Sequence, residues 1–180
     1  MAKAKAEQQT SLPPLIQALY EARGDRATLA KLRRGLGKQV GEPGAAERDG
    51  WVLQCLPTEV SRTQLNDLCL IASLFGLHPQ SDGRGTLGAA FRQLWKENDE
   101  ADGPERRFVA LLNSDPADLP TRLRHAVSLL KGNEIAIDWA RLLTDLRKWN
   151  RPERFVQRRW ARDFWGAWHV QDDEAEHDAR

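Results

Sequence analysis

The residues whose types and spacing could do chemistry lie in the segment RKWNRPERFVQRRWARDFWGAW, where arginines and tryptophans interleave along a predicted helix. After Pro152, an apolar stripe recurs every four residues and consists of Val156, Trp160 and Phe164. A row of arginines recurs at the same interval, nearly opposite the stripe, and consists of Arg154, Arg158 and Arg162. Planar guanidinium groups suit phosphates or clustered carboxylates, so the row predicts a binding surface rather than a catalytic site.

Other interpretations of this helix stay open. The arginines can form a solvated face, in which Arg159 pairs with Asp163 four residues along. They can also bind an acidic protein partner, and tryptophans at helical spacing are typical of a core. A second basic cluster surrounds Gly35 and consists of Lys31, Arg33, Arg34 and Lys38. Cations at a helix C-terminus also favour the helix dipole.

Catalytic motifs are weak or absent. Ser128 and Lys131 match an S-x-x-K spacing, but the other motifs of the acylating serine enzymes do not occur. The segment 83–86 precedes a predicted helix without a dinucleotide or P-loop pattern. The four histidines and two cysteines never approach each other at metal-ligand spacing. We therefore expect no enzyme, no cofactor and no metal.

Charge is distributed unevenly along the chain. The formal net charge is +1, although 29% of the residues are charged. Eight lysines and arginines between Arg141 and Arg162 face only two acidic residues, whereas the segment after His169 is acidic. A near-neutral total therefore conceals a basic region and an acidic tail.

Cysteine usage and hydropathy indicate a cytoplasmic protein. Cys55 and Cys69, the only cysteines, lie among apolar neighbours and are predicted to be buried, reduced thiols. The polar N-terminus carries no signal peptide pattern. The longest apolar run, 68–77, is about half of the ~20 residues that a membrane span needs.

Apolar periodicity predicts an all-α protein of two packed helical bundles, since no run of alternating β-branched residues appears. The predicted N-caps are Asp25, Thr86, Asp118 and Asp138, and 35–50 is predicted as a loop before a short helix at 51–56. The predicted bundles are 11–97 and 104–168, joined by the linker NDEADGP at 98–104. Residues 1–10 and 169–180 are predicted to be disordered tails.

Several strings in one order resemble a known family. PERRFVALLNSD, LPTRLRHAVSLL, IDWARLLTDLRKW and PERFVQRRWARDFWGA resemble the CasB small subunit of Cascade, the type I-E CRISPR surveillance complex. The resemblance is strong from 105 to 167, DRATLAKLRRG extends it towards the N-terminus, and between 35 and 84 it rests on helix pattern alone.

The resemblance implies a non-catalytic subunit that binds nucleic acid without sequence specificity and stabilises the R-loop between guide RNA and target DNA. The implied partners are the large subunit and backbone subunits of Cascade, a second copy of the chain, guide RNA and target DNA, with neither a membrane nor a small-molecule substrate. The alternative is an assembly subunit whose arginine face docks onto acidic proteins. The candidate nucleic-acid-binding residues are Arg33, Arg34, Arg106, Arg107, Arg122, Arg124, Arg151, Arg154 and Arg158.

Overall fold

The computed structural model describes residues 13–99 and 102–166, and all regular structure in those ranges is helical. The nine α-helices of this part are Pro14–Glu21 (α1), Arg26–Arg34 (α2), Ala46–Gln54 (α3), Arg62–Leu77 (α4), Leu87–Glu97 (α5), Asp102–Leu112 (α6), Leu119–Gly132 (α7), Trp139–Leu146 (α8) and Phe155–Trp165 (α9). The predicted all-α fold is confirmed for these ranges. The predicted disordered tails, 1–10 and 169–180, lie outside the described residues.

Polar side chains fix the starts of four helices. Three of the predicted caps are confirmed, because Asp25, Thr86 and Asp138 each accept a hydrogen bond from a first-turn backbone N–H of α2, α5 and α8. The predicted cap at Asp118 is wrong, because its side chain accepts no hydrogen bond from the first turn of α7. Helix α4 begins with a capping box, in which Ser61 and Gln64 satisfy each other's backbone N–H groups. These caps hold the free N–H groups of the first turns and so define where the helices begin.

The helices pack around one continuous apolar core. Helix α4 packs against α2, α3, α7 and α8, while α9 packs chiefly against α5. The buried cluster runs from Leu15 in α1 to Phe164 in α9. Helix α5 comes from the predicted N-terminal bundle, yet its main partner comes from the C-terminal one. The division into bundles 11–97 and 104–168 therefore stays a prediction.

Two buried hydrogen bonds tie the end of α4 to the start of α8. The His78 Nε2 group contacts the carbonyl of Ile135 at 2.8 Å, and the Trp139 indole donates to the carbonyl of Gln80 at 2.7 Å. A carbonyl only accepts, so Nε2 carries the proton of the His78 ring. Burial lowers the pKa of His78, which keeps the imidazole neutral. The two halves of the chain are therefore held together by hydrogen bonds as well as by the apolar core.

The predicted loop at 35–50 is wrong at its end, because α3 already begins at Ala46. Two charged residues of this segment, Arg48 and Asp49, are buried instead of exposed to water. Arg48 is 1% exposed and donates to Asp49 and to the carbonyls of Gly35 and Lys38. The carboxylate of Asp49 also accepts from the Gly41 N–H, so the ion pair organises the loop before α3. Because every charge has partners, this buried pair is compatible with a stable core.

Burial alone opposes ionisation of Asp49, yet its pKa is lowered. The hydrogen bond from Gly41 and the neighbouring Arg48 guanidinium outweigh the loss of hydration. Cys69 lies beside this pair, is buried, and has its pKa raised to about 12 chiefly by that burial. Cys55 is only half-buried, in contrast to the prediction, and both cysteines are free thiols.

The predicted linker at 98–104 is shorter in the structure, because α6 begins at Asp102. Asp102 and Glu105 place carboxylates in the first turn of α6, where they favour the helix dipole. Pro104 is buried in the same turn, a position at which proline is compatible with a helix. Polar residues and a proline that were predicted to form a linker therefore form the first turn of α6.

Helix α5 touches α9 through a glycine. A Cβ atom at Gly88 would lie 2.1 Å from the carbonyl oxygen of Trp160, which is far inside van der Waals contact. We expect Gly88→Ala to lower the free energy of unfolding by roughly 1–3 kcal/mol, because the two backbones must move apart. Urea denaturation measures the change.

The matched control is Gly50→Ala, at a glycine inside α3 with no atom within 4 Å of the added carbon. Alanine is a better helix former than glycine by about 1 kcal/mol, so this variant should be slightly more stable than the wild type. Equal effects of the two substitutions would contradict the close contact between α5 and α9.

Candidate nucleic-acid interface

Helix α9 carries the arginine–tryptophan segment, and its apolar stripe is buried as predicted. Val156, Trp160 and Phe164 are each 0% exposed. Arg158 and Arg162 are exposed on the same helix. The 3.6-residue period therefore separates an inner apolar face from an outer basic one, as the sequence indicates.

The predicted row of three arginines is shorter in the structure. Helix α9 begins at Phe155, and Arg154 precedes it in the left-handed conformation with φ 50°. The Arg154 guanidinium donates to the carbonyl of Leu112 at 2.7 Å, at the end of α6. Placing Arg154 on the helical face is therefore wrong, and its side chain links the start of α9 to α6.

Arg159 pairs with Asp145 of α8 and not with Asp163, the partner that the local spacing suggests. Asp145 is 0% exposed, and its other oxygen accepts from the Trp160 indole at 2.6 Å. Asp163 instead accepts from the Thr86 hydroxyl at 2.6 Å. The Arg159 guanidinium therefore binds a buried carboxylate, and this residue is not part of the outer basic face.

Three of the predicted site residues meet in one groove between α6 and α7. Arg106 and Arg107 line it from α6 and Arg122 lines it from α7, around a volume of about 610 Å³. Ala110 lies one turn beyond Arg106 and Arg107, and Ala126 lies one turn beyond Arg122, so small side chains leave the space between the arginines open. We call this feature the basic groove.

Sequence reasoning missed two polar members of the basic groove. His125 and Ser128 line it from α7, in the turns that follow Arg122. Their spacing of three residues is a signal for one helical face, but the facing helix is known only from the fold. Guanidinium, imidazole and hydroxyl groups around one opening can donate several hydrogen bonds to the oxygens of a phosphodiester.

The remaining predicted arginines lie apart from the basic groove. Arg124 points away from it and lies beside Gly37, in the loop that follows α2. Arg33 and Arg34 are exposed at the end of α2, where Arg34 pairs with Glu47 of α3. Arg151 is exposed in the turn between α8 and α9. The predicted residues therefore do not form one site, and they include groups in the basic groove, at the end of α2 and before the start of α9.

Residues 13–99 and 102–166 contain neither a cluster of metal ligands nor a membrane-spanning helix. Within these ranges, no three His, Cys, Asp or Glu side chains come together as a metal ion would require. None of the helices there combines the length and apolarity that crossing a bilayer takes.

Comparison with known proteins gives the chain a family context. The family model for CRISPR-associated protein Cse2 matches residues 28–165. A CRISPR-associated protein Cse2 from Thermus thermophilus is 44% identical over 99 residues, a match that spans 54% of this chain and 55% of the relative. The matched part is thus about half the length of that curated relative.

Solved structures resemble the fold over most of its length. The crystal structure of M. ruber CasB is 34% identical with a TM-score of 0.68, covering 84% of this chain and 92% of that one. A chain from a structure called CRISPR RNA-guided surveillance complex has a TM-score of 0.71 at 23% identity, covering 84% of this chain and 89% of that one. The second likeness concerns the fold alone.

Proposed function

Since this chain belongs to the CRISPR-associated Cse2 family, we propose that it is the non-catalytic small subunit of a cytoplasmic Cascade complex. In this role it binds nucleic acid without sequence specificity and stabilises the R-loop between guide RNA and target DNA. Its partners are the large and backbone subunits, a second copy of itself, and the two nucleic acids. The similarity to CasB of M. ruber supports this assignment.

The observation that carries the proposal is the convergence of Arg106, Arg107 and Arg122 on the basic groove. None of the three forms an ion pair with another described side chain. The carboxylate next to them in sequence, Glu105, is engaged by the Trp165 indole at 2.9 Å. Their guanidinium groups are therefore available to an external anion.

Phosphate binding is enough for the proposed role. Guide–target pairing carries the sequence information, and opening the duplex is nearly balanced by forming the heteroduplex. A subunit that neutralises phosphates of a strand shifts this balance without reading bases. The groove presents donors for phosphate oxygens, and phosphate contacts carry no sequence information.

A second candidate function is an assembly subunit that docks acidic protein partners. It is favoured by an exposed patch in which Trp165 of α9 is 37% exposed and Val109 of α6 is 36% exposed. Arg162 lies one turn before Trp165, and arginine beside tryptophan is typical of protein interfaces. This patch and the basic groove are lined by different residues, so the two functions can be tested separately.

A salt titration tests the nucleic-acid role. We expect the purified chain to bind a fluorescent single-stranded oligonucleotide with an affinity that falls steeply with salt and does not depend on sequence. In Arg106→Glu/Arg122→Glu, the slope of log affinity against log salt should be shallower by about 1.4, because each phosphate neutralised on a single strand contributes about 0.7.

The control for this titration is Arg26→Glu/Arg84→Glu. It changes the net charge equally, at two exposed arginines outside the groove. This variant should keep nearly the full slope. Equal losses in both variants would mean that net charge alone attracts the strand, and the proposed groove would then be wrong.

A further inference from the structure

The acidic residues that follow α9 suggest an occupant for the basic groove. The segment 167–180 carries five carboxylates against one arginine, and they are Asp172, Asp173, Glu174, Glu176 and Asp178. We call residues 172–178 the acidic segment. Such a density of carboxylates is the charge complement of three guanidinium groups that face no described carboxylate.

The described chain ends against α6, the helix that forms one wall of the groove. The Trp165 indole donates to Glu105 of α6, and the Trp165 ring meets the Phe108 ring edge-on at 5.8 Å. Arg106 and Arg107 lie between these two contact residues in the sequence of α6. The last turn of α9 therefore rests on the turn of α6 that supplies two groove arginines, but on the opposite face of that helix.

The chain beyond this point is long enough to reach the groove. Asp172 is six residues beyond Gly166 and Asp178 is twelve beyond it. At 3.3–3.6 Å per extended residue, these lengths span up to about 20 and 40 Å. A helix with its side chains is only about 10–12 Å wide, so the acidic segment can pass around α6.

We propose that the acidic segment binds in the basic groove and competes there with nucleic acid. The proposal rests on the proposed function, because it assigns a regulator to the same phosphate-binding residues. A short tether holds a ligand at an effective concentration of about 1 mM, so a weak contact is enough for occupancy. A nucleic-acid strand must displace the acidic segment before it binds. The segment therefore weakens the apparent affinity for strands that bind only weakly and non-specifically.

Neutralising the acidic segment tests this competition in the full chain. We expect a variant with its five carboxylates changed to amides to bind a single-stranded oligonucleotide about tenfold more tightly at low salt. This gain corresponds to removing a tethered competitor that occupies the groove about nine-tenths of the time. When Arg106→Glu/Arg122→Glu is also present, the same change should increase the affinity for the oligonucleotide only as much as the altered net charge does.

The control for general charge changes five exposed acidic residues elsewhere to amides: Glu42, Glu59, Asp82, Glu97 and Asp99. Its net charge equals that of the tail variant. Equal gains from the tail variant and this control would overturn the competition, while wild-type DNA binding would leave the proposed function intact.

A second measurement does not depend on DNA. A labelled peptide of residues 167–180 should bind the full-length tail-neutralised variant in a salt-sensitive way, and Arg106→Glu/Arg122→Glu in that variant should abolish the binding. Peptide binding without any DNA binding would contradict the proposed function alone. Absence of peptide binding, with DNA binding present, would contradict the acidic segment as a groove ligand.

Discussion

Trp160→Ala is expected to lower the free energy of unfolding by roughly 3–5 kcal/mol, as large-to-small changes of buried aromatic residues do. Trp160 is 0% exposed and its ring packs against that of Trp149 at a centroid distance of 5.1 Å. The substitution removes this packing and also the indole donor to the buried Asp145 carboxylate. Urea denaturation followed by circular dichroism measures the loss.

Trp160→Phe separates the two contributions. It keeps most of the ring volume but removes the N–H that Asp145 accepts, so we expect a smaller loss of about 1–3 kcal/mol. An unchanged denaturation midpoint in Trp160→Ala would contradict the burial of the apolar stripe. It would also reverse which face of α9 is directed to the solvent.

Asp145→Asn is expected to destabilise the fold by roughly 3 kcal/mol, the lower end of the range for breaking a buried ion pair. The carboxylate joins two helices, since it contacts Arg141 of its own helix and both Arg159 and Trp160 of α9. The amide keeps the shape but loses the charge that compensates Arg159. The loss stays at the lower end because the Arg159 side chain is 24% exposed and retains some hydration.

Glu47→Gln is the matched control for this substitution. The pair of Glu47 with Arg34 is exposed, with side-chain exposures of 54% and 63%. Exposed pairs contribute about 0–1 kcal/mol, so the control should be nearly as stable as the wild type. If thermal unfolding shifted equally in both variants, the buried network around Asp145 would not hold α8 and α9 together.

Local patterns in the sequence were sufficient for the starts of three helices and for the inner face of α9. Asp25, Thr86 and Asp138 precede apolar periodic segments, and each caps a helix as predicted. The spacing of Val156, Trp160 and Phe164 predicted their burial, because a helical period is a property of the neighbouring residues alone.

Contacts between distant segments were beyond these patterns. Arg159 has an acidic residue four positions away, but its partner Asp145 is fourteen positions away and is brought close only by the packing of α8 and α9. Arg48 and Asp49 read as loop residues, because charge and glycine dominate their surroundings, whereas the fold buries them as a pair. Sequence patterns describe one element at a time, whereas Arg159 and Asp145 lie on different helices and Arg48 donates to carbonyls of the loop before its helix.

For the basic groove too, the sequence predicted individual site residues, whereas the packing of the helices decides which of them come together. Arg106, Arg107 and Arg122 were predicted as site residues, and the structure brings these three together. In the sequence Arg124 was predicted as a site residue on the same grounds. In the fold Arg122 lines the groove, whereas Arg124 lies beside Gly37. Only the packing of α6 against α7 distinguishes them.

We propose a role in which the basic groove stabilises the R-loop and other surfaces hold the subunit in the complex. Its most direct test is to assemble Cascade with Arg106→Glu/Arg122→Glu and to measure both subunit stoichiometry and the dissociation rate of target DNA. We predict full incorporation and dissociation at least about tenfold faster, since each lost charge-assisted hydrogen bond contributes about 1.5–3 kcal/mol. Loss of the subunit from the complex, or unchanged dissociation with full incorporation, would contradict the claim.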